Sequence, residues 1–232
     1  TLNIPLQYRA ALADILNPID GYKASEHPII KDLFKGFTNA RPREYKIPKT
    51  WKVTNVTTML QSWGSNRDIT TKQLTYKATM LMALASGSRC SELAALDQRY
   101  MRTIPEGIAF QLTRHKKNSR SAEMPGQLFI GELKENQQLC PCACIKEYLK
   151  RTKEARVTEQ DPLLRTMNKA KKGVSTDTVS RWLTDCIRMA GIDVKSGKAI
   201  AHSTRSVATS EGKRNGMCTR DIMKAAGWKT DN

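Results

Sequence analysis

A mainly α-helical fold with a small antiparallel β-sheet follows from three features of the 232-residue sequence. Apolar residues recur at helical spacing through most of the chain. One stretch, residues 107–113, alternates instead and leads through a polar, basic run into a second short strand. Glycines stand where the helical patterns stop, at Gly87, Gly191, Gly216 and Gly227.

The elements follow in order. Residues 5–16 carry Leu6, Ala10, Leu12, Ala13 and Leu16 on one helical face, and residues 28–37 form a second helix with Ile29, Ile30, Leu33, Phe34 and Phe37. Residues 41–48 hold two prolines, four charges and little apolar content, the composition of a linker. The chain therefore divides into a helical segment 1–40, a linker 41–49 and a main domain 50–232. Two short helices are too little for a core of their own, so the first segment reads as part of a larger helical domain. Past the linker, residues 53–63 and 71–85 read as helices, and residues 91–96 as a short one. Residues 107–113 and a second strand toward Met124 make a hairpin whose tip, residues 114–120, is basic. Residues 142–153 form a helix with Ile145, Tyr148 and Leu149 on one face. The clearest helix is 175–190: Ser175 caps it, Asp177 complements its first turn, and Val179, Trp182, Leu183 and Ile187 face inward. Residues 203–215 form another, and Thr219 starts a last helix that Gly227 closes.

Charge is the outlying quantity. Lys plus Arg number 39 against 22 Asp plus Glu, a net charge of +17. Such a field attracts polyanions, duplex DNA first and an anionic membrane surface second. No apolar run approaches the roughly 20 residues that span a bilayer, and residues 1–20 lack the basic-then-apolar pattern of a signal peptide. The six cysteines are too sparse for a disulfide scaffold and read as reduced thiols of an intracellular protein. Cys140, Cys142 and Cys144 are spaced by one residue, unlike zinc-binding pairs, and no second Cys/His pair is near. They read as small residues at a helix entrance, and no metal site is expected.

Four local patterns can carry chemistry. Arg89 follows the Gly87 break at a helix start, with Glu92 one turn on to hold its guanidinium. Taken alone, this is also the pattern of a surface ion pair. His202 and Arg205 sit at i and i+3 on one helix face, a proton carrier beside a phosphate-gripping fork. Trp228 follows Gly227 at a helix end, where its indole N–H could donate to a phosphate oxygen. Lys116 and Lys117 lie on the hairpin tip, as DNA contacts or as a general acid.

In this order and spacing the patterns resemble the tyrosine recombinase/integrase family over about residues 50–232. Residues 83–97, 174–183 and 202–210 are similar to the eukaryotic branch carried by retroelements of the DIRS and Ngaro kind and related mobile elements. The motifs Gln7-Tyr-Arg, His27-Pro and Lys35-Gly-Phe look like the end of that branch's helical core-binding domain. The resemblance implies a role for each residue. Arg89 and Arg205 match the arginines that clamp the scissile phosphate. Lys117, eight residues before Pro125, matches the hairpin lysine, with Lys116 as the alternative. His202 matches the His of His-x-x-Arg, Trp228 stands where members have His or Trp, and Glu92 matches a supporting acid. Arg114, Lys116 and Arg120 join the DNA contacts.

The chemistry implied is strand breakage and rejoining through a 3′-phosphotyrosine. Fixed cationic donors stabilise the charge that builds on the phosphate oxygens, and the covalent intermediate conserves the bond, so neither metal nor ATP is required. The family's partner is double-stranded DNA, with a tetrameric synapse on it and, for this chain, a monomer in solution. The resemblance also implies a nuclear location. One departure stands out. The family nucleophile lies within about ten residues after the Trp228 position, whereas Tyr8, Tyr22, Tyr45, Tyr76, Tyr100 and Tyr148 all lie elsewhere. The chain is therefore expected to be inactive in covalent cleavage. The alternative is a domesticated DNA-binding protein derived from a recombinase, without strand exchange.

Overall fold

The computed structural model describes residues 3–13, 15–40, 51–112, 126–156, 161–166, 172–194 and 200–226. The chain forms two compact units, residues 1–48 and 49–232. The expected linker, residues 41–49, lies outside the described residues.

The first unit holds α1 (Asn3–Ala13) and α2 (Pro28–Ala40). Arg9 donates to the Ser25 carbonyl and stands 5.1 Å over the Phe34 ring, which ties the two helices together. None of the residues of α2 is buried, and Leu12, Ile15, Ile29, Leu33 and Phe37 are exposed. Two short helices bring too little apolar surface together to close a core.

The second unit is built around α4 (Thr71–Ser86), most of whose residues are buried. It contacts α6 (Pro141–Arg151), α7 (Thr176–Met189), α8 (Ala201–Arg214) and the sheet. Its start is fixed by reciprocal bonds: the Thr70 hydroxyl accepts the Gln73 amide at 3.2 Å, and the Gln73 side chain accepts the Thr70 amide at 3.0 Å. α3 (Val53–Ser62) buries Val56 and Leu60, and α7 buries Val179, Trp182, Leu183, Cys186 and Ile187 behind its Ser175 cap. α5 (Cys90–Ala94) and α9 (Thr219–Ala226) are the remaining α-helices among the described residues.

The sheet is three-stranded and antiparallel, in the order β1 (Met101–Ile104), β2 (Gly107–Gln111), β3 (Gln127–Gly131). The register pairs Ala109 with Arg102 on one side and with Phe129 on the other. The sequence pattern predicts the partner of β2 toward Met124. The strand found is downstream of it, at Gln127–Gly131, while residues 113–125 lie outside the described residues. β1 was not expected, because its four residues have a burial pattern without alternation. At Gly107 a Cβ would stand 2.1 Å from the Ile130 carbonyl oxygen, so only glycine fits there.

Cys140, Cys142, Cys144 and Cys186 are buried in the core. Cys140 is the N-cap of α6, its sulfur accepting the amides of Leu133 and Ala143 at 3.4 Å, and the Cys142 thiol donates to the Ile130 carbonyl at 3.3 Å. All six cysteines are free. Among the described residues no helix is long and apolar enough to cross a membrane.

Candidate active site

The site begins where α4 ends. Gly87 takes the left-handed conformation, φ 58° and ψ 24°, and its amide donates to Ala83 at 3.0 Å. The neighbouring hydroxyls lock the turn. Ser86 Oγ donates to the Met82 carbonyl at 2.7 Å, accepts the Ser88 amide at 3.3 Å, and lies 2.8 Å from Ser88 Oγ. Both serines are buried.

Arg89 follows in extended conformation as the N-cap of α5. Glu92 returns to it twice: one carboxylate oxygen accepts the Arg89 amide at 2.8 Å, and the other accepts Arg89 Nη1 at 3.0 Å. The carboxylate half of a capping box and an ion pair are thus the same side chain.

Arg205 reaches this point from α8. It is buried, with Nη1 donating to the Gly87 carbonyl at 2.8 Å and Nη2 to the Ala226 carbonyl at 2.6 Å. Its Nη1 stands 4.0 Å from the Glu92 oxygen that accepts the Arg89 amide. Burial first, and the Arg89 charge second, pull Arg205 below the ordinary arginine value, while Glu92 opposes them. One carboxylate is therefore shared by two guanidiniums from distant parts of the sequence.

His202 lies one turn before Arg205, and its side chain is exposed. The first turn of α8 is held from two sides. The Ala201 amide donates to Thr184 Oγ1 of α7 at 3.2 Å, and Trp51 Nε1 donates to Ser203 Oγ at 2.8 Å. An apolar hollow of about 200 Å³ is lined by Gly87 and Ala226, whose carbonyls Arg205 holds, together with Val53, Leu84, Met217 and Ile222.

The structure thus brings Arg89, Glu92 and Arg205 into one cluster, with His202 on the same helix as Arg205. Lys117, Lys116, Arg114, Arg120 and Trp228 lie outside the described residues. Sequence reasoning missed the Ser86 and Ser88 hydroxyls, the two carbonyls that Arg205 holds, and Trp51. No spacing rule links Trp51 to Ser203, 152 positions away. Two cations against one carboxylate leave a positive remainder, and guanidinium forks match paired oxygens of a phosphate.

No family model and no curated protein matches the chain. Solved structures do. The crystal structure of XerA recombinase is 18% identical with a TM-score of 0.58, covering 99% of this chain and 74% of that one. XerH site-specific recombinase bound to palindromic difH substrate, in a post-cleavage complex, is 12% identical with a TM-score of 0.62, over 97% of this chain and 58% of that one. Lambda integrase bound to DNA is 15% identical with a TM-score of 0.53, over 97% of this chain and 70% of that one. The mostly helical unit with its three-stranded sheet has the fold of a tyrosine recombinase catalytic domain.

Proposed function

We propose that the chain is the catalytic part of a tyrosine recombinase, a DNA strand transferase working through a 3′-phosphotyrosine. The observation that carries this reading is the meeting of Arg89 and Arg205 at Glu92. A DNA-binding surface alone needs scattered cations. It has no need of two arginines, one of them buried, held in fixed orientation around one carboxylate. The likeness in fold to recombinases solved on DNA supports the same reading.

In this mechanism Arg89 and Arg205 hold the non-bridging oxygens of the scissile phosphate and stabilise the charge that grows there as the tyrosine attacks. Glu92 keeps Arg89 in place. His202 accepts the nucleophile's proton or holds the phosphate, Lys117 protonates the departing 5′ oxygen, and Trp228 donates its indole N–H to a phosphate oxygen. No metal and no nucleotide enters. The retroelement-like branch, the nuclear location, a monomer in solution and a tetrameric synapse on DNA belong to the same proposal. Sedimentation with and without duplex tests the assembly.

A second reading is a recombinase-derived DNA-binding protein without strand exchange, in which the described tyrosines have other places. Tyr76 donates to Asp185 at 3.4 Å, the Tyr148 hydroxyl accepts the Arg165 amide at 3.0 Å, Tyr100 stands beside Arg99, and Tyr8 and Tyr22 belong to the first unit. A duplex carrying a bridging 5′-phosphorothiolate separates the readings, because its leaving group cannot rejoin. A covalent protein–DNA band on a denaturing gel establishes the transferase. The 232-residue chain is expected to give no band under either reading, so the assay is run on the full-length natural protein, where duplex binding without that band establishes the second reading. A chain that binds no duplex at low salt ends both.

A further inference from the structure

We propose that Trp51 is a positioning residue for the arginine–histidine site. It acts through Ser203, which sets the first turn of α8. The inference rests on the proposed function for its catalytic meaning but not for its geometry.

Trp51 is buried, and its indole N–H donates to Ser203 Oγ at 2.8 Å. The Ser203 hydroxyl in turn donates to the carbonyl of Ile200, the residue before α8, at 2.7 Å, and the Ser203 amide donates to the same carbonyl at 2.8 Å. The direction of the relay is settled by chemistry: an indole can only donate, whereas a hydroxyl accepts one bond and donates another. Ile200 has no side chain able to cap a helix and makes no cap bond, so the first turn of α8 is held from outside, at the Ala201 amide by Thr184 Oγ1 and at Ser203 by Trp51. The relay from Trp51 supplies what a cap would supply, a fixed entry into the helix. That entry matters because His202 is the second residue of α8 and Arg205 the fifth. If the first turn frays, His202 loses its fixed place and Arg205 is loosened from Glu92. A buried apolar ring with one polar edge suits the task, since the ring is held by the core while the edge reaches the helix.

Hydrogen exchange on the whole chain tests this without DNA. Trp51→Phe keeps the ring in the core and removes the N–H. Ser203→Ala removes the acceptor. Each variant should speed exchange at the Ala201 and Ser203 amides by about tenfold while the interior of α4 stays protected. The double variant should add nothing to either single one, because both break the same link. Uniform loss of protection across the second unit, additive effects, or no change at α8 would each overturn the proposal. Should Trp51→Phe fail to fold, Ser203→Ala carries the exchange test by itself.

Duplex affinity supplies the functional arm. Both variants should bind duplex DNA several-fold more weakly than the parent at moderate salt, since the clamp on the phosphate is less ordered. Affinity equal to that of a DNA-binding parent overturns the positioning role. A parent that binds no duplex overturns the proposed function instead, and the exchange result still decides the role of Trp51.

Discussion

Arg205 donates to the carbonyl of Ala226, the last residue of α9, at 2.6 Å. The same guanidinium holds the Gly87 carbonyl at the end of α4. One side chain therefore joins three helices, and the segment that carries Trp228 starts from a carbonyl that Arg205 fixes. Arg205, proposed above to bind phosphate, is in this way also part of the frame.

Arg205→Ala should cost about 2–4 kcal/mol, because it leaves two carbonyls without their donor and Glu92 with one cation fewer. Arg205→Lys should recover only part of this. A lysine keeps the charge but cannot span two carbonyls with a planar fork. Urea unfolding gives the energies. Faster amide exchange in α9 than in α7 would locate the loss at the Ala226 contact.

Glu92→Gln should destabilise the fold by about 1–3 kcal/mol, since two guanidiniums are left facing each other without a counter-charge. It should also make the protein respond to anions. Sodium sulfate, compared with sodium chloride at equal ionic strength, should raise the Tm of Glu92→Gln more than that of the parent, because the anion replaces the lost carboxylate. Equal responses would count against a shared anion position at the two arginines.

Stability should fall above about pH 9. Burial pushes Cys142 up to about 11, and Cys144 and Cys186 up to about 12, while in the unfolded chain such thiols ionise near their usual value. Between these values the unfolded state binds fewer protons than the folded one, so stability drops as pH rises. Tyr148, raised by burial, has the same sign. Lys77, lowered by burial, has the opposite sign: the penalty of keeping it charged is full below its folded value and gone above its unfolded one. Three thiols outweigh it. Cys186→Ala should lower the Tm at pH 7 modestly and flatten the decline between pH 9 and 11.

Duplex binding should be strongly salt-dependent, with a slope of about −0.9 in log K against log salt for each phosphate neutralised. Arg114→Ala and Arg120→Ala should each shallow the slope by about one and leave any sequence preference unchanged, because backbone contacts carry no base information. Titration over a range of salt, with two unrelated duplexes, checks both statements.

Much of this was determined by the sequence alone. Helices α4, α6, α7 and α8, the Gly87 stop, the Ser175 cap, the pairing of Arg89 with Glu92 and the placing of His202 one turn before Arg205 all rest on residues a few positions apart. At that range the hydrogen-bond geometry of the helix decides which groups meet, and spacing encodes it. Tertiary structure alone decided that Arg205 would find Gly87, Ala226 and Glu92, that Trp51 would hold Ser203, and that β2 would lie between the unexpected β1 and the more distant β3. Those meetings follow from how α7, α8 and the sheet bury their apolar faces against α4. The hydrophobic effect that drives this burial has no direction and leaves no mark of fixed spacing in the chain.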